Sequence, residues 1–405
     1  MYLVVYYIKD KPLNMTIGIV LAKPPGYTES FFRSKIRGLQ AKGYKVNLYC
    51  QENETKFDLC PVYTRPRLSK NPGLQLIYTL NTFLGLLGSL KNIWRLISLE
   101  REEGTPAAKI FKKIFLNAHL LKAKPDWLHF GFATMALERE FIAEAIGAKM
   151  AVSFRGFDID VYPLKKPGCY KLLWRKVNKV HSISEYLLTK AIQLGLPEDK
   201  PSEIIYPAVD IAMLPNPTVI IHKSEKLKII TVARLHWIKG IDLLIAAAEI
   251  LRANNIEFEW IIVGAGDKKE EERYKYHVYE KELENYVIFA GALPHSKALQ
   301  KIKDADIYVQ TSLSEGFCNS VLEAQALGKL CIAFSTGGLP ENIQDKKSGF
   351  LVDALSAEKM ATKIMEVLSL TKSERSNYSK YAVQRVKENF TIKKQQKAFQ
   401  KFYLY

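Results

Sequence analysis

Cysteine is scarce in this chain and poorly placed for cross-linking. The five cysteines among 405 residues (Cys50, Cys60, Cys169, Cys318 and Cys331) are an odd set with no C-x-x-C pair. That excludes a disulfide framework and a structural zinc site, and it fits a reducing, cytosolic compartment. Acidic residues are also short, with 42 Asp and Glu against 59 Lys and Arg for a formal charge of +17. An anionic partner is therefore expected: nucleic acid, a phosphorylated metabolite or an acidic membrane. The imbalance is local. Residues 1–200 hold 31 basic and 17 acidic side chains, whereas residues 201–405 hold 28 and 25, so the two halves are expected to face different partners.

Long uninterrupted apolar runs are missing too. The segment Leu74–Leu99 is rich in Leu, Ile, Phe and Trp but broken by Asn81, Thr82, Lys91, Asn92 and Arg95, which makes it too polar for a comfortable membrane span. Two readings stay open for it: core or lid helices, or a helix lying on the bilayer surface with basic neighbours adding attraction. The opening Met1–Ile8 is apolar but has no basic flank before it and no small-residue cleavage site after it. It does not read as a signal peptide, and Met15 is an alternative start.

What the chain does have is alternation. Its length suits two domains of ordinary size. Thr16–Leu21 reads as a strand, Pro24-Pro25-Gly26 as a turn, the spacing of Phe31, Phe32, Ile36 and Leu39 as a helix, and 45–49 as a second strand, a β-α-β opening of a parallel sheet. Strands at 127–130 and 150–154 run into loops carrying Gly131 and Gly156, where open α/β sheets hold ligands. The second half predicts strands at 228–233, 259–263, 286–290, 306–310 and 330–334, with helices at 240–252, 296–303, 320–327 and 356–370. The boundary is expected near Tyr206-Pro207-Ala208, giving an α/β chain of two Rossmann-like, doubly wound domains facing a cleft.

The chemistry concentrates after two of these strands. Thr311–Ala324 runs from strand to helix and holds Glu315 and Glu323, with seven residues between them, around Gly316. Free backbone N–H groups at such a helix start favour phosphate or sugar oxygens, and carboxylates accept hydrogen bonds from sugar hydroxyls. Ser320-Val321-Leu322-Glu323 also matches a capping box, in which Glu323 merely caps the helix. Val232–Gly240 places Arg234 and Lys239 in one loop, where both could reach a pyrophosphate and stabilise the charge developing on a leaving diphosphate without a metal. Val263-Gly264-Ala265-Gly266-Asp267 and Thr336–Glu341 add glycine loops that allow close backbone approach.

In this order Arg234, Lys239, Gly264-Ala265-Gly266, Glu315-Gly316-Phe317, Glu323-Ala324 and Gly337-Gly338-Leu339-Pro340-Glu341 resemble retaining glycosyltransferases of the GT-B fold, the large family 4 group. The N-terminal half is similar to colanic-acid-type exopolysaccharide glycosyltransferases through Pro25–Phe31, His129-Phe130-Gly131 and Ser153–Ile159. The resemblance implies an acceptor-binding domain over 1–205, a nucleotide-sugar-binding domain over 206–385, and a C-terminal helix, 386–405, crossing back to the first domain. It implies that Arg234 and Lys239 bind the donor diphosphate, Glu323 the ribose hydroxyls and Glu315 the transferred sugar. Gly316 and Phe317 would lend backbone amides, Leu293 would lie against the base, and Gly264 and Gly26 would line the donor site. His129, Arg155 and Asp158 are the candidates on the acceptor or sugar side, although a lone histidine at a strand end beside Gly131 also reads as a satisfied structural residue and His129 is not taken as the base. Many relatives carry a histidine in the loop that here reads Phe154-Arg155-Gly156-Phe157-Asp158, so that imidazole's role does not transfer.

The implied reaction is a front-face displacement with retention, in which the leaving phosphate oxygen helps deprotonate the acceptor hydroxyl. Expected partners are a UDP- or GDP-sugar, a polyprenyl-diphosphate-linked glycan or other sugar acceptor, and an anionic membrane surface at the inner face of the cytoplasmic membrane. No cofactor and no metal are expected, and the D-x-D triplets Asp158-Ile159-Asp160 and Asp304-Ala305-Asp306 are read as chance. The alternatives are a GT-B nucleotide-sugar epimerase, which would turn over the nucleotide-sugar without an acceptor, a phosphorylase, which would need a pyridoxal phosphate lysine that is not identifiable here, and a non-catalytic nucleic-acid-binding protein, for which the recognised binding patterns are missing.

Overall fold

The computed structural model describes residues 15–26, 30–53, 57–217 and 226–404. Met1–Ile8 and the Tyr27-Thr28-Glu29 part of the Pro25–Phe31 motif lie outside the described residues. The chain divides into two compact units, one of residues 1–182, 190–205 and 396–405, the other of 183–189 and 206–395.

The first unit is built on a parallel sheet of seven strands: β1 (Thr16–Leu21), β2 (Lys45–Cys50), β3 (Val62–Thr64), β4 (Trp127–Phe130), β5 (Lys149–Phe154), β6 (Lys179–Ser182) and β7 (Ser202–Ile204). Their order is β3-β2-β1-β4-β5-β6-β7. Interior strands such as β4 are buried along their whole length, as expected for a sheet with helices on both faces. The helix Ser30–Ala41 inserts Phe32, Ile36 and Leu39, at helical spacing, into a core shared with Ile17, Ile19 and Leu48. Phe399, Phe402 and Tyr403 from the end of the chain complete that core, each almost fully buried. Gln396 and Gln400 fix the segment by donating to the carbonyls of Ser34 and Gly38.

The stretch holding Leu74–Leu99 forms helices Pro72–Leu84 and Leu90–Glu102. Asn71 caps the first, its side chain accepting from the Leu74 N–H. The second is anchored by Glu100, whose carboxylate takes Lys113 Nζ at 2.7 and 2.8 Å inside the unit. Ile93 and Leu96 are buried, but Leu76, Leu80, Leu84, Leu87 and Trp94 are 56–67% exposed, so a core-helix reading accounts for only part of the segment. Among the described residues no single helix is long and apolar enough to cross a membrane. The pair Pro72–Leu84 and Leu87–Glu102, bent by 51°, meets the length and composition requirement only together.

The second unit repeats the architecture with six parallel strands: β8 (Leu227–Val232), β9 (Phe258–Val263), β10 (Val287–Gly291), β11 (Ile307–Gln310), β12 (Leu330–Phe334) and β13 (Phe350–Val352). The order is β10-β9-β8-β11-β12-β13. The direction of winding reverses between β8 and β11, the place where doubly wound sheets bind ligands beyond their carboxyl ends. Trp260, Phe258, Leu244, Ile262 and Met360 fill the core on one side, and Val321, Leu299 and Cys331 lie in the core cluster on the other.

The packing of the chain's end yields a stability prediction. Phe399 is fully buried between the Phe31 and His181 rings, so Phe399→Ala is expected to cost about 3–5 kcal/mol in denaturant unfolding followed by a probe in the first unit.

Candidate functional site

In the second unit, the loops leaving β8, β9, β11 and β12 are bound to one another by backbone contacts that only glycine permits. Gly240, at φ +63°, would place a Cβ 2.0 Å from the Thr311 carbonyl oxygen, and Gly264, at φ +144°, would place one 1.9 Å from that of Ala233. Any side chain would push the β8 loop away from its neighbours on both sides. Thr311 Oγ1 donates to the Lys239 carbonyl at 3.0 Å, Thr336 Oγ1 to that of Ser312 at 2.9 Å, and Gly338 N to that of Glu315 at 2.7 Å.

These contacts bring Lys239 and Glu315 together. Lys239 Nζ meets Glu315 Oε1 at 2.5 Å, and the carboxylate is 8% exposed. Ser312 Oγ donates to the same oxygen at 2.8 Å, Gln310 Nε2 donates to Ser312 Oγ at 2.7 Å, and the Tyr308 hydroxyl donates to Gln310 Oε1 at 2.7 Å. A buried polar chain thus runs from strand β11 to the carboxylate and fixes its orientation. Arg234 is exposed in the β8 loop, so it adds a solvent-facing cation to the same loop.

Glu323 lies on the helix Asn319–Ala326. The capping-box alternative is not what forms: Cys318 is the N-cap without a side-chain cap, and the Ser320 hydroxyl donates to the Val232 carbonyl at 3.1 Å. Glu323 Oε1 instead takes His295 Nε2 at 2.8 Å. That hydrogen bond, and then the carboxylate's charge, raise the His295 pKa above its ordinary value against the opposing effect of burial. Leu293 sits just before this histidine, half-buried against the core cluster of Val263 and Val321. Phe317 is buried against the Tyr206 and Phe390 rings; only the backbone at Gly316–Phe317 is left to serve a ligand. Arg234, Lys239, Gly264, Leu293, Glu315, Gly316, Phe317 and Glu323 all belong to this unit.

The first-unit candidates are placed differently. Gly26 is exposed in the loop after β1. His129 is fully buried: its Nδ1 lies 2.6 Å from the Tyr403 hydroxyl and 3.2 Å from Lys35 Nζ, and its Nε2 lies 2.7 Å from Ser153 Oγ. Ser153 Oγ is 2.8 Å from His181 Nδ1, and His181 Nε2 is 3.1 Å from the Ile205 carbonyl, which it must donate to. Burial, and then the nearby Lys35, hold both imidazoles well below their ordinary pKa. His129 is thus a core residue closing a polar chain onto the C-terminal segment. Asp158 is 1% exposed, its carboxylate accepting the Ala133 and Arg155 N–H groups at 3.0 Å each; it builds the loop from inside. The Arg155 guanidinium lies 4.0 Å from the Phe31 ring centroid.

The D-x-D carboxylates are also taken up by the fold. Asp160 pairs with Lys190, Asp306 accepts the Lys228 N–H, and Asp304 accepts from Gln300. Among the described residues no group of three or more His, Cys, Asp or Glu side chains is placed to hold a metal ion. Gln310, Tyr308 and His295 carry no motif that marks them in the sequence. Ser312 stands within the quoted motif but carried no role there.

Residues 216–385 match the family model "Glycosyl transferases group 1". Escherichia coli WcaL, named as a colanic acid biosynthesis glycosyltransferase, is 25% identical over 400 residues, covering 93% of this chain and 96% of that protein. Among solved structures, the sucrose-phosphate synthase of Thermosynechococcus elongatus superposes with a TM-score of 0.71 at 16% identity, over 96% of this chain and 98% of the other. Anabaena HepE, solved with UDP-glucose, superposes with a TM-score of 0.69 at 16% identity, over 96% and 99%. The fold is GT-B, a pair of Rossmann-like parallel-sheet units.

Two outcomes follow from this geometry. Ser312→Ala strands the buried Gln310 amide and is expected to cost about 1–3 kcal/mol, read by denaturant unfolding, with Ser312→Thr milder. Because the folded-state pKa of His295 is raised, its contribution is full below the ordinary histidine value and lost as pH rises through the raised one. The Tm gap between wild type and His295→Asn is therefore expected to be larger at about pH 6 than at about pH 9.

Proposed function

We propose that this chain, whose residues 216–385 form a glycosyl transferases group 1 domain, moves a sugar from a UDP- or GDP-sugar onto a growing glycan with retention of anomeric configuration. The observation that carries the reading is the Lys239–Glu315 pair, held at the point where the second sheet reverses its winding. A donor diphosphate arriving there competes with Glu315 for the Lys239 ammonium, and Arg234 adds the second cation. Charge that builds on the leaving diphosphate as the anomeric carbon–oxygen bond breaks is then met by fixed positive groups. The acceptor oxygen bonds to that carbon from the same face, and its proton passes to the departing phosphate oxygen. Glu315, released from part of its ion pair, accepts hydrogen bonds from the sugar hydroxyls. Glu323, oriented by His295, does the same for the ribose, with Leu293 against the base. The amides at Gly316 and Phe317 complete the cradle, and no metal is needed.

HepE, solved with UDP-glucose, supports a nucleotide-sugar as donor, and the name of WcaL supports a place in exopolysaccharide synthesis. The charge of the first 200 residues supports an acceptor carried on a polyprenyl diphosphate and an enzyme peripheral to an anionic membrane on its cytoplasmic side.

The test is calorimetric titration with UDP and GDP, paired with a transfer assay. Arg234→Ala and Lys239→Ala are each expected to weaken the diphosphate by about tenfold or more, and Glu323→Ala to weaken the nucleotide. Glu315→Ala is expected to abolish transfer while diphosphate affinity is kept or tightened, because Lys239 loses its competitor. Equal loss of binding and transfer in Glu315→Ala and Glu323→Ala would contradict the assigned roles.

A further inference from the structure

The first unit contains a cavity that none of the donor chemistry uses. It measures about 800 Å³ and opens between strands β2 and β3, the residues leading into β4, and the helix Pro72–Leu84. Its lining includes Arg67, Lys122 and Lys124 together with Tyr63, Tyr78 and His119. No carboxylate lines it among the described residues, and none of its three cations is in an ion pair there. The His119 Nδ1 is buried without a hydrogen-bond partner. A pocket that gathers three exposed cations with no acid opposite them is complementary to an anion; His119, which burial and then the charges of Arg139 and Arg65 hold down at a pKa of about 3, is neutral and adds no charge.

The same helix links the cavity to an exposed apolar surface of the unit. Tyr78, Asn81 and Thr82 face the cavity, while Leu76, Leu80 and Leu84 are more than half exposed on the adjoining side. Lys122 Nζ stands 2.8 Å from where a Gly85 Cβ would be, against the helix's C-terminal turn. Beyond that turn Leu87, Leu90 and Trp94 continue the exposed apolar surface. An anion site at the edge of an uncovered apolar strip is the signature of an amphiphile, with a charged head in the cavity and chains along the leucines.

We propose that this cavity is a binding site for the anionic headgroup of a membrane lipid, whose acyl chains lie against the exposed face of Pro72–Leu84 and Leu90–Glu102. The site deepens the membrane part of the proposed function and rests on it. The aromatic rims of Tyr63 and Tyr78 suit the interfacial depth, with polar tips and apolar bodies. Free phosphate esters share the headgroup chemistry, and what separates the two sources is the need for the leucines.

The test uses the full chain and vesicles of phosphatidylcholine with or without phosphatidylglycerol, read by co-sedimentation, with UDP calorimetry in parallel. Wild type is expected to partition onto the anionic vesicles and not onto pure phosphatidylcholine. Arg67→Ala/Lys122→Ala/Lys124→Ala is expected to weaken this by roughly a hundredfold, and Leu76→Asp/Leu80→Asp by about tenfold or more. Both variants should keep UDP affinity, which certifies folding, and glycerol 3-phosphate should not compete. If wild type ignores anionic vesicles, the membrane reading falls and this site with it. If wild type binds but either variant partitions as well as wild type, the assigned site alone is overturned. Competition by glycerol 3-phosphate at low concentration, with the leucine variant unaffected, would make the cavity a soluble-phosphate site and overturn the lipid assignment.

Discussion

The ion pair between Lys239 and Glu315 is the contact on which the candidate site depends. Each residue comes from a different strand-end loop, and a lysine and a carboxylate of such low exposure are stable together only if the backbone holds them at hydrogen-bond distance. The backbone does so because Gly240 tolerates the Thr311 carbonyl where a Cβ would stand. The carboxylate is braced from behind by Ser312, Gln310 and Tyr308. Breaking the pair leaves a charge with little water around it. A donor diphosphate is the kind of ligand that can replace one partner while keeping the lysine neutralised.

The first unit depends on a different constraint. A buried lysine, two buried histidines and a tyrosine from the chain's end share one polar chain, with hydrophobic rings on every side. Burial and the Arg155 charge push the Lys35 pKa far down, so this cluster opposes protonation. It is held because Phe399, Phe402 and Tyr403 close the core over it. The end of the chain is therefore part of the first unit's interior, not an appendage to the second.

Much of this was legible in the residues themselves. Strands such as Thr16–Leu21 and Leu330–Phe334 announce themselves as short apolar runs between turn residues, and their observed bounds differ from the expected ones by at most a residue or two. The strands at Val62–Thr64, Lys179–Ser182 and Ser202–Ile204 do not, because they are short and carry polar residues such as His181. The helix Lys268–Glu280 escaped for a related reason: Tyr274 and Val278 alone are buried, and its start is set by the Asp267 cap rather than by an apolar face. At the site, Glu315 and Lys239 stood out by motif. The partner of Glu323 did not, since His295 lies 28 residues away and meets it only through the fold. His129 was open to a structural reading in the sequence, and its burial agrees with that reading; Asp158, brought in by the resemblance, is buried with its carboxylate occupied. Sequence spacing has no way to report that a carboxylate's lone pairs are already occupied by backbone N–H groups.

The central claim is that the nucleotide is held in the second unit, around Lys239 and Glu315. The most direct measurement is hydrogen–deuterium exchange of the full chain with and without UDP or GDP. The account predicts slowed exchange in 234–240, 264–266 and 315–323 on nucleotide binding. Unchanged exchange there, with protection confined to the first unit, would contradict it.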